Sequence, residues 1–443
     1  MTFVPHSDAE RKAMLEMVGV ERLEDLFAGL PQHMRFPLLD LPAAISEIEL
    51  VRELRTLADR NIAARDHVSF RGGGSYHHFR PAIVDHVLQR AEFHTAYTPY
   101  QPEISQGLLQ AMFEYQTLIC QLTGMEISNA SHYDGATALA EAVLMALAAD
   151  GKRTKIVVSQ AVHPHYRAVL ETYLAGTNAR LAEVSEVATA EVDTDTAALV
   201  VQSPNVFGQI EDLGECAARC RDAGAHLIVS TDPIALGLLD PPGTFGADIV
   251  VADGQCLGLS PCYGGPSLGI FATRREHVRR LPGRLVGQTT DADGRRGYVL
   301  TLGTREQHIR RQRATSNICT NAALGALAAS VYLAVMGKHG LRRVAELCYH
   351  RAHYAAGEIA QLPGCSINPQ APDKTFFKEF VARLPRPVAD VNERLRVEHG
   401  IIGGLDLGTL MPGRSHDALI AVTEATGRAD IDRLVAGLRT AFA

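Results

Sequence analysis

Apolar residues in the middle of the chain follow two alternating patterns, which predict a mostly parallel β-sheet covered by helices. Between 103 and 124, apolar side chains recur every three or four positions, as on one face of a helix closed by Gly124. Asp134 can cap a second helix over 136–149. The strands that follow are uniformly apolar, which is typical of strands buried on both faces. They are predicted at 155–159, 197–202, 226–231, 247–252 and 268–273, with helices at 164–175 and 211–223.

The two ends of the chain carry patterns of a different kind. Ser7 and Glu10 have the spacing of a capping box, which predicts a helix over 8–18 that Gly19 ends. The segment 38–61 is again helical after its prolines. The C-terminal part combines long helices with short strands, an order that favours a small α+β domain. Its helices are predicted at 320–336 and 340–361 and its strands at 375–384, 400–406 and 418–424.

The length of the chain and the change of pattern along it predict three parts. The chain has 443 residues, and single cores stop growing near roughly 250–300 residues. We expect an N-terminal helical arm over 1–64, a large α/β domain over 65–319 and a small C-terminal α+β domain over 320–443.

Composition and charge narrow the possible functions. The net charge of −7 gives the chain no overall attraction for nucleic acid or an anionic membrane. We find no apolar run approaching the roughly 18–20 uncharged residues of a membrane span, and no signal-peptide pattern, so we expect a cytoplasmic protein. The eight Cys include no C-x-x-C pair, which argues against a zinc site and a disulfide framework. A redox pairing of Cys256 and Cys262 stays open beside the alternative of isolated buried thiols.

Asp232 directly follows the strand predicted at 226–231 and matches one of the two residues expected in a known kind of cofactor site. The two-domain layout resembles the aspartate-aminotransferase-like (fold type I pyridoxal-phosphate) enzymes. In those enzymes such an Asp pairs with the protonated pyridine nitrogen, and a Lys some two dozen residues later forms an imine with the cofactor. Gln255 lies at that spacing, and no Lys lies between Lys155 and Lys338. Because an amide is not nucleophilic, we predict a degenerate site in which Asp232 is a relic and no cofactor is bound covalently.

Two further features near this site have alternative interpretations. His132 could stack on a cofactor ring, or it could be an interior histidine with its hydrogen bonds satisfied, which we favour. The run Gly72–Gly74 could cradle a phosphate, although a tight turn is the simpler interpretation of a lone glycine run.

Four stretches of the sequence are specific enough to indicate a family. They are Tyr97-Thr98-Pro99-Tyr100-Gln101-Pro102-Glu103-Ile104-Ser105-Gln106-Gly107, Tyr133-Asp134-Gly135-Ala136-Thr137-Ala138, Pro282-Gly283-Arg284-Leu285-Val286-Gly287 and Thr304-Arg305-Glu306-Gln307-His308-Ile309-Arg310-Arg311. These stretches resemble the glycine dehydrogenase (decarboxylating) family, in particular its separate alpha subunit. The resemblance extends from residue 3 to residue 407. One departure is the segment 70–78, where an Arg and a His pair stand in a turn that is usually made of small residues.

The resemblance implies a heterotetramer of two alpha and two beta chains. The beta subunit would supply the lysine and the pyridoxal phosphate, glycine would lose CO2, and the aminomethyl group would pass to the lipoyl arm of H-protein. This chain alone would then be inactive. Two alternatives are a non-catalytic scaffold or regulatory pseudoenzyme that stabilises the beta subunit, and a self-sufficient enzyme that recruits Lys155 or Lys374.

Five residues are candidates for a wall of the beta subunit's active site: Tyr97, Tyr100, Gln101, Glu103 and Ser105. They cluster in a proline-rich turn just before a predicted helix N-terminus, where backbone N–H groups favour an anion such as the glycine carboxylate. The alternative is that the rings only pack at a subunit interface.

The segment 274–313 contains eleven Arg and four acidic residues. Such a patch could dock an acidic carrier protein or a phosphate, because the guanidinium pairs bidentately with both. Ion pairing across a subunit interface is the alternative. Nucleic acid is disfavoured because Tyr298 alone offers a ring for base stacking.

Overall fold

The computed structural model describes residues 6–63 and 66–442, which form two compact units. The first unit spans positions 1–62 and the second spans positions 63–443. The predicted boundary between 64 and 65 falls on residues outside the described ranges. The predicted division of the remainder at 319/320 stays a prediction.

The first unit contains two helices, α1 (Asp8–Val18) and α2 (Glu47–Ala58), with short 3₁₀ turns between them. The predicted capping box is confirmed, because the Ser7 hydroxyl accepts from the Glu10 N–H while a Glu10 carboxylate oxygen accepts from the Ser7 N–H at 2.7 Å. The helix predicted from 38 begins only after Ser46, which caps α2 in the same way. No residue of α1 or α2 is buried.

The second unit contains all the other described elements. Its helices are α3 (Ala82–Leu88), α4 (Gln106–Thr123), α5 (Gly135–Asp150), α6 (Pro164–Leu174), α7 (Leu213–Ala223), α8 (Pro242–Phe245), α9 (Gln307–Arg310), α10 (Ala323–Ala360), α11 (Val388–His399) and α12 (Arg428–Phe442). Its strands are β1 (Val68–Ser69), β2 (Ile127–Ser128), β3 (Lys155–Ser159), β4 (Arg180–Val184), β5 (Thr196–Ser203), β6 (His226–Thr231), β7 (Ile249–Asp253), β8 (Gly269–Thr273), β9 (Val286–Thr290), β10 (Arg296–Leu300), β11 (Ser366–Ile367), β12 (Glu379–Arg383), β13 (Ile401–Ile402), β14 (Leu405–Asp406) and β15 (Asp417–Ala421).

A seven-stranded sheet in the order β2-β8-β7-β6-β5-β3-β4 forms the centre of this unit. The strands from β3 to β7 are parallel, while β8 is antiparallel to β7 and β2 to β8. The five strands predicted as apolar runs are confirmed to within two residues at each end. Helices cover both faces, as expected, with α5 and α6 on one face and α4, α7 and α10 on the other. The predicted α/β class with a mostly parallel sheet is therefore confirmed.

A smaller antiparallel sheet in the order β11-β12-β15-β14 packs with α11 and α12 around a second core. The predicted strands 375–384 and 418–424 correspond to β12 and β15. The strand predicted at 400–406 is divided into β13, which pairs with β1, and β14, which pairs with β15.

Helix α10 joins the two cores and is interrupted at Gly337, whose φ of 58° and ψ of −176° are not helical. This break separates the two helices predicted at 320–336 and 340–361. The expectation that no segment approaches a membrane span in length and apolar character was wrong for α10, the one described helix that meets both criteria. Its side chains lie in both hydrophobic cores, including the fully buried Tyr332 and Ala352, which gives its apolar character a packing role.

The carboxyl ends of β5, β6 and β7 meet the start of β12 at one edge of the large sheet. The Phe377 N–H donates to the Gly208 carbonyl at 2.9 Å, and Gln209 pairs with Phe376 in an isolated bridge. Arg71 forms another isolated bridge to Ile420 in β15. These backbone contacts bring the glycine run at 72–74, the large sheet and the small sheet together around one cavity.

This close approach depends on Gly208, so we expect Gly208→Ala to lower the free energy of unfolding. Its φ is +81°, and a Cβ would lie 1.8 Å from the Glu379 carbonyl oxygen. Left-handed backbone and overpacking together predict a loss of about 2–4 kcal/mol by chemical denaturation. Gly413→Ala is the matched control, because Gly413 has a φ of +79° and open space around its Cβ position. Equal losses in the two variants would show that the contact with Glu379 is not tight.

Candidate functional site

The predicted degenerate site is a cavity at the carboxyl edge of the large sheet. Its inner part has a volume of about 50 Å³ and is lined by Asp232, Tyr76, His163 and Glu379, among others. An outer lobe of about 270 Å³ is lined by Gln255, Tyr263 and other residues. The inner part alone is much smaller than the roughly 300–1,000 Å³ of an ordinary ligand pocket.

Asp232 is not the idle relic that the sequence predicted. Its Oδ2 lies 2.6 Å from the Nζ of Lys378, in a side-chain pair that is only 14% and 2% exposed. Its Oδ1 accepts the Ile234 N–H at 2.9 Å. Both carboxylate oxygens are therefore engaged inside the chain, and Asp232 holds a buried cation.

Lys378 continues this pair into a network that fixes the protonation of His78. The Nζ of Lys378 lies 3.0 Å from His78 Nε2 and 3.5 Å from the centroid of the Tyr76 ring. Since an ammonium group can only donate, His78 Nε2 must accept, and Nδ1 then carries the proton donated to Glu424 at 2.6 Å. Burial and then the charge of Lys378 lower the pKa of His78, which agrees with this neutral form.

Glu424 ends the network as a carboxylate. Burial is the largest single effect and raises its pKa, but the contacts with His78 and the backbone hydrogen bonds, among them that of Phe79, together outweigh burial and lower the pKa to about 2. Its second oxygen accepts the Phe79 N–H at 2.7 Å. The network therefore contains one cation, Lys378, between the two carboxylates Asp232 and Glu424.

Gln255 occupies the outer lobe in a structural role. Its Oε1 accepts the Tyr76 N–H at 2.9 Å, and its Nε2 donates to the carbonyls of Tyr76 at 3.1 Å and Leu259 at 2.7 Å. The amide thus pairs with the backbone of Tyr76 in both directions. A lysine would provide no acceptor for the Tyr76 N–H.

The glycine run at 72–74 forms the tight turn that we favoured. Gly73 and Gly74 have φ values of +82° and +103°, and the Gly73 N–H donates to a Glu379 carboxylate oxygen at 2.7 Å. A Cβ on Gly72 would lie 2.1 Å from the same oxygen. A carboxylate of this chain therefore takes the N–H group that a phosphate would need.

The described residues of this site do not fit pyridoxal phosphate. Asp232 is already paired with the ammonium group of Lys378, and no lysine lines the cavity in the place of Gln255. Of the two lysines considered as substitutes, Lys155 pairs with Asp193 at 2.7 Å and Lys374 with Glu211 at 2.6 Å, and neither lines the cavity.

His132 corrects a prediction, because it is an interior histidine without satisfied hydrogen bonds. It is fully buried, its ring lies 5.1 Å from that of Phe271, and neither ring nitrogen has a partner among the described residues. Burial lowers its pKa to about 3. It lines neither part of the cavity, so the alternative of stacking on a cofactor has no support either.

The five wall candidates lie in an exposed turn outside this cavity. Tyr97 is 81% and Tyr100 55% exposed, Gln101 and Glu103 are exposed, and Ser105 is half-buried. A 3₁₀ turn at Pro102–Ile104 leads directly into α4, so the predicted position before a helix N-terminus is confirmed. Their role as an active-site wall stays a prediction.

The sequence analysis missed the buried group that holds this turn. Arg284 is 1% exposed, forms a close ion pair with Glu306, and donates to the Tyr100 hydroxyl at 2.6 Å. Its guanidinium also lies 5.2 Å from the centre of the Tyr100 ring. Both residues belong to the quoted family-like stretches, but nothing in the local pattern indicates that they meet.

The arginine-rich segment is therefore not one surface. Two of its arginines, Arg284 and Arg305, are buried, and burial followed by the charge of Arg284 lowers the pKa of Arg305 to about 10. Arg274 pairs with Asp248 at 3.5 Å. Other arginines are exposed, so a docking role for them stays a prediction.

Two groups of described side chains bear on the predicted absence of a metal site. Within each group the possible ligand atoms lie within 4.8 Å of one another. The first group is His78, Cys348 and Glu424, and the second is His226, Asp248 and His277. In the first group the ammonium of Lys378 lies 3.0 Å from His78, where it repels a cation. In the second, the guanidinium of Arg274 competes for Asp248. The absence of a metal stays a prediction, as does any redox role of buried Cys256 and exposed Cys262.

The fold and the altered cavity define a class of protein. The alanine–glyoxylate aminotransferase of a Nostoc species superposes with a TM-score of 0.58 at 16% identity, covering 94% of this chain and 100% of that one. An identity this low shows the fold alone. The chain thus has the fold of the fold type I pyridoxal-phosphate enzymes, and a packed charge network lies where its parallel strands end.

Closer comparisons identify the family. The profile of the glycine cleavage system P-protein matches residues 1–438. The probable glycine dehydrogenase (decarboxylating) subunit 1 of Thermomicrobium roseum is 55% identical over 452 residues and covers 100% of both chains. A crystal structure of inhibitor-bound glycine decarboxylase (P-protein) of the glycine cleavage system has a TM-score of 0.90 at 47% identity, also covering 100% of both chains. The chain belongs to the glycine cleavage system P-protein family.

The unpaired ring of His132 predicts a specific dependence of stability on pH. Its pKa is about 3 in the folded protein against 6.5 ordinarily, so only the unfolded chain gains a proton as the pH falls below 6.5. Linkage predicts that His132 removes about 2 kcal/mol of unfolding free energy between pH 7 and pH 5. We expect His132→Phe to reduce the loss of stability over this interval by that amount.

Chemical denaturation at pH 7 and pH 5 measures this effect, and the difference between the two values carries the test. The exposed His339 provides the control variant His339→Gln, which should retain the wild-type difference. If His132→Phe loses as much unfolding free energy between pH 7 and pH 5 as the wild type, the ring of His132 can be protonated in the folded protein.

Proposed function

We propose that the chain is the subunit of glycine decarboxylase that lacks the cofactor lysine and acts only together with a beta subunit. The observation that carries this proposal is the packed site of a member of the P-protein family. Lys378 occupies the carboxylate of Asp232, and Gln255 occupies the place of the lysine. The beta subunit would supply pyridoxal phosphate, which provides the electron sink for loss of CO2 from glycine.

The contribution of this chain would be a wall of the beta subunit's active site. The turn from Tyr97 to Ser105 presents two phenols, an amide and a carboxylate in front of α4. The free N–H groups at a helix N-terminus favour an anion such as the carboxylate of glycine. Arg284 restrains the exposed Tyr100 through a hydrogen bond, which lowers the entropic cost of holding that phenol in place.

The exposed apolar residues of the first unit support a partner chain. Ile48 is 73%, Leu54 is 54% and Leu38 is fully exposed, and α2 has no buried residue. Apolar surface of this kind is typical of a protein–protein interface. We propose that it contacts the beta subunit in an alpha2beta2 assembly, which then passes the aminomethyl group to the lipoyl arm of H-protein.

A second function also has one observation in its favour. The charge network packs the former cofactor cavity like a structural core, as in a non-catalytic scaffold or regulatory pseudoenzyme that only stabilises the beta subunit. Such a scaffold would need the interface but not the chemistry of the turn at Tyr97–Ser105.

The first experiment is glycine–bicarbonate exchange with lipoylated H-protein. We expect activity only when this chain and its beta subunit are mixed, because the described residues provide no site for the cofactor in this chain. Activity of the chain alone with added pyridoxal phosphate would overturn the proposal. Full activity of the beta subunit alone would favour a role outside the chemistry.

A second experiment separates the catalytic wall from the scaffold. We expect Tyr97→Ala combined with Glu103→Ala to lower kcat/KM of the assembled complex by about ten- to a hundredfold, because substrate positioning is lost. Size-exclusion chromatography checks that assembly is intact. The control is Tyr263→Ala, which removes a 95% exposed tyrosine from the degenerate lobe. A double variant that assembles and retains full activity would favour the scaffold.

A further inference from the structure

Lys378 is a buried cation that the family resemblance does not explain. It is 1% exposed, whereas the other described lysines are exposed or half-buried. Burying an ammonium group is costly unless charged and polar partners surround it. The carboxylate of Asp232, the ring nitrogen of His78 and the face of Tyr76 lie within 3.5 Å of Nζ.

Asp232 follows β6, at the place where the fold type I enzymes carry a carboxylate that binds the cofactor. In fold type I enzymes the carboxylate that follows the strand equivalent to β6 pairs with the protonated pyridine nitrogen. Here the Nζ of Lys378 makes that pairing at 2.6 Å. We propose that Lys378 is a built-in counterion for Asp232 that closes the cavity to pyridoxal phosphate independently of the missing lysine.

Two physical effects would still oppose binding of pyridoxal phosphate if a lysine stood at position 255. A protonated pyridine nitrogen beside Asp232 would place a second cation next to the ammonium group of Lys378. Neighbouring like charges disfavour each other's charged forms. The lysine also fills space next to an inner cavity of about 50 Å³. Restoring a lysine at position 255 addresses neither effect.

The surrounding segment reinforces the closed state. Residues 73–76 line the cavity and are held by Glu379 through the Gly73 N–H and the Tyr76 hydroxyl, both at 2.7 Å. Glu424 holds the residues that follow, through His78 and Phe79. Lys378 is adjacent to Glu379 in the chain, so a single stretch of backbone supplies both the cation and this anchor.

The test measures attachment of pyridoxal phosphate to position 255. The full-length chain is prepared as wild type, as Gln255→Lys and as Gln255→Lys with Lys378→Ala. Each is incubated with pyridoxal phosphate and reduced with borohydride, and the pyridoxyl group is located by peptide mass spectrometry. Site mapping is necessary because exposed lysines also react. Neither glycine nor a beta subunit is needed, so the result is independent of the proposed function.

We expect Gln255→Lys alone to be labelled at position 255 no more than an exposed lysine. The added Lys378→Ala change should raise labelling there at least about tenfold, equivalent to roughly 1.4 kcal/mol of binding. Equal labelling of the two variants, high or low, would overturn the proposal. Labelling of Lys378 itself in the wild type would also overturn it, because the amine would then be a cofactor ligand.

Two further measurements keep the test decisive if Lys378→Ala is poorly stable. The control Gln255→Lys with Lys374→Ala removes a lysine paired at 2.6 Å with Glu211, outside the cavity, and should leave labelling low. In thermal melts, Asp232→Asn with Lys378→Met should be more stable than Lys378→Met alone, because the double variant does not leave the carboxylate of Asp232 unpaired. The reverse order would show that Asp232 and Lys378 do not depend on each other.

Discussion

A positive charge buried where two sheets meet constrains the structure of the second unit. Lys378 precedes β12 of the small sheet, and Asp232 follows β6 of the large one. An unpaired buried charge is among the costliest defects in a protein, so the two sheets must meet with this pair in register. The close approach at Gly208 and the hydrogen bond of the Gly73 N–H both involve Glu379, the residue next to Lys378.

Polar side chains are paired differently around Asp232 and in the turn before α4. Around Asp232 the carboxylates, rings and amides find partners within the chain, as in a structural core. At the turn before α4 the opposite holds, because Tyr97 and Glu103 face solvent while Arg284 is buried behind Tyr100. The turn therefore presents the polar groups of Tyr97 and Glu103 on a surface that a second chain can reach.

Sequence patterns predicted the large sheet well, because strands buried on both faces leave continuous apolar runs. They missed β4, an edge strand whose partly exposed residues form no such run. The network around Lys378 was also missed, since His78 and Lys378 are 300 positions apart and no local pattern records their contact. For His132, the sequence could suggest burial but could not show that both ring nitrogens lack partners.

A cation that is part of the chain cannot dissociate, and this changes how the fold responds to its surroundings. A fold that closes around a free ligand gains stability with ligand concentration and loses it when the supply falls. Lys378 supplies its charge at a fixed one-to-one ratio with Asp232 as soon as the chain folds. The neutralisation of Asp232 is therefore independent of the concentration of any free ligand.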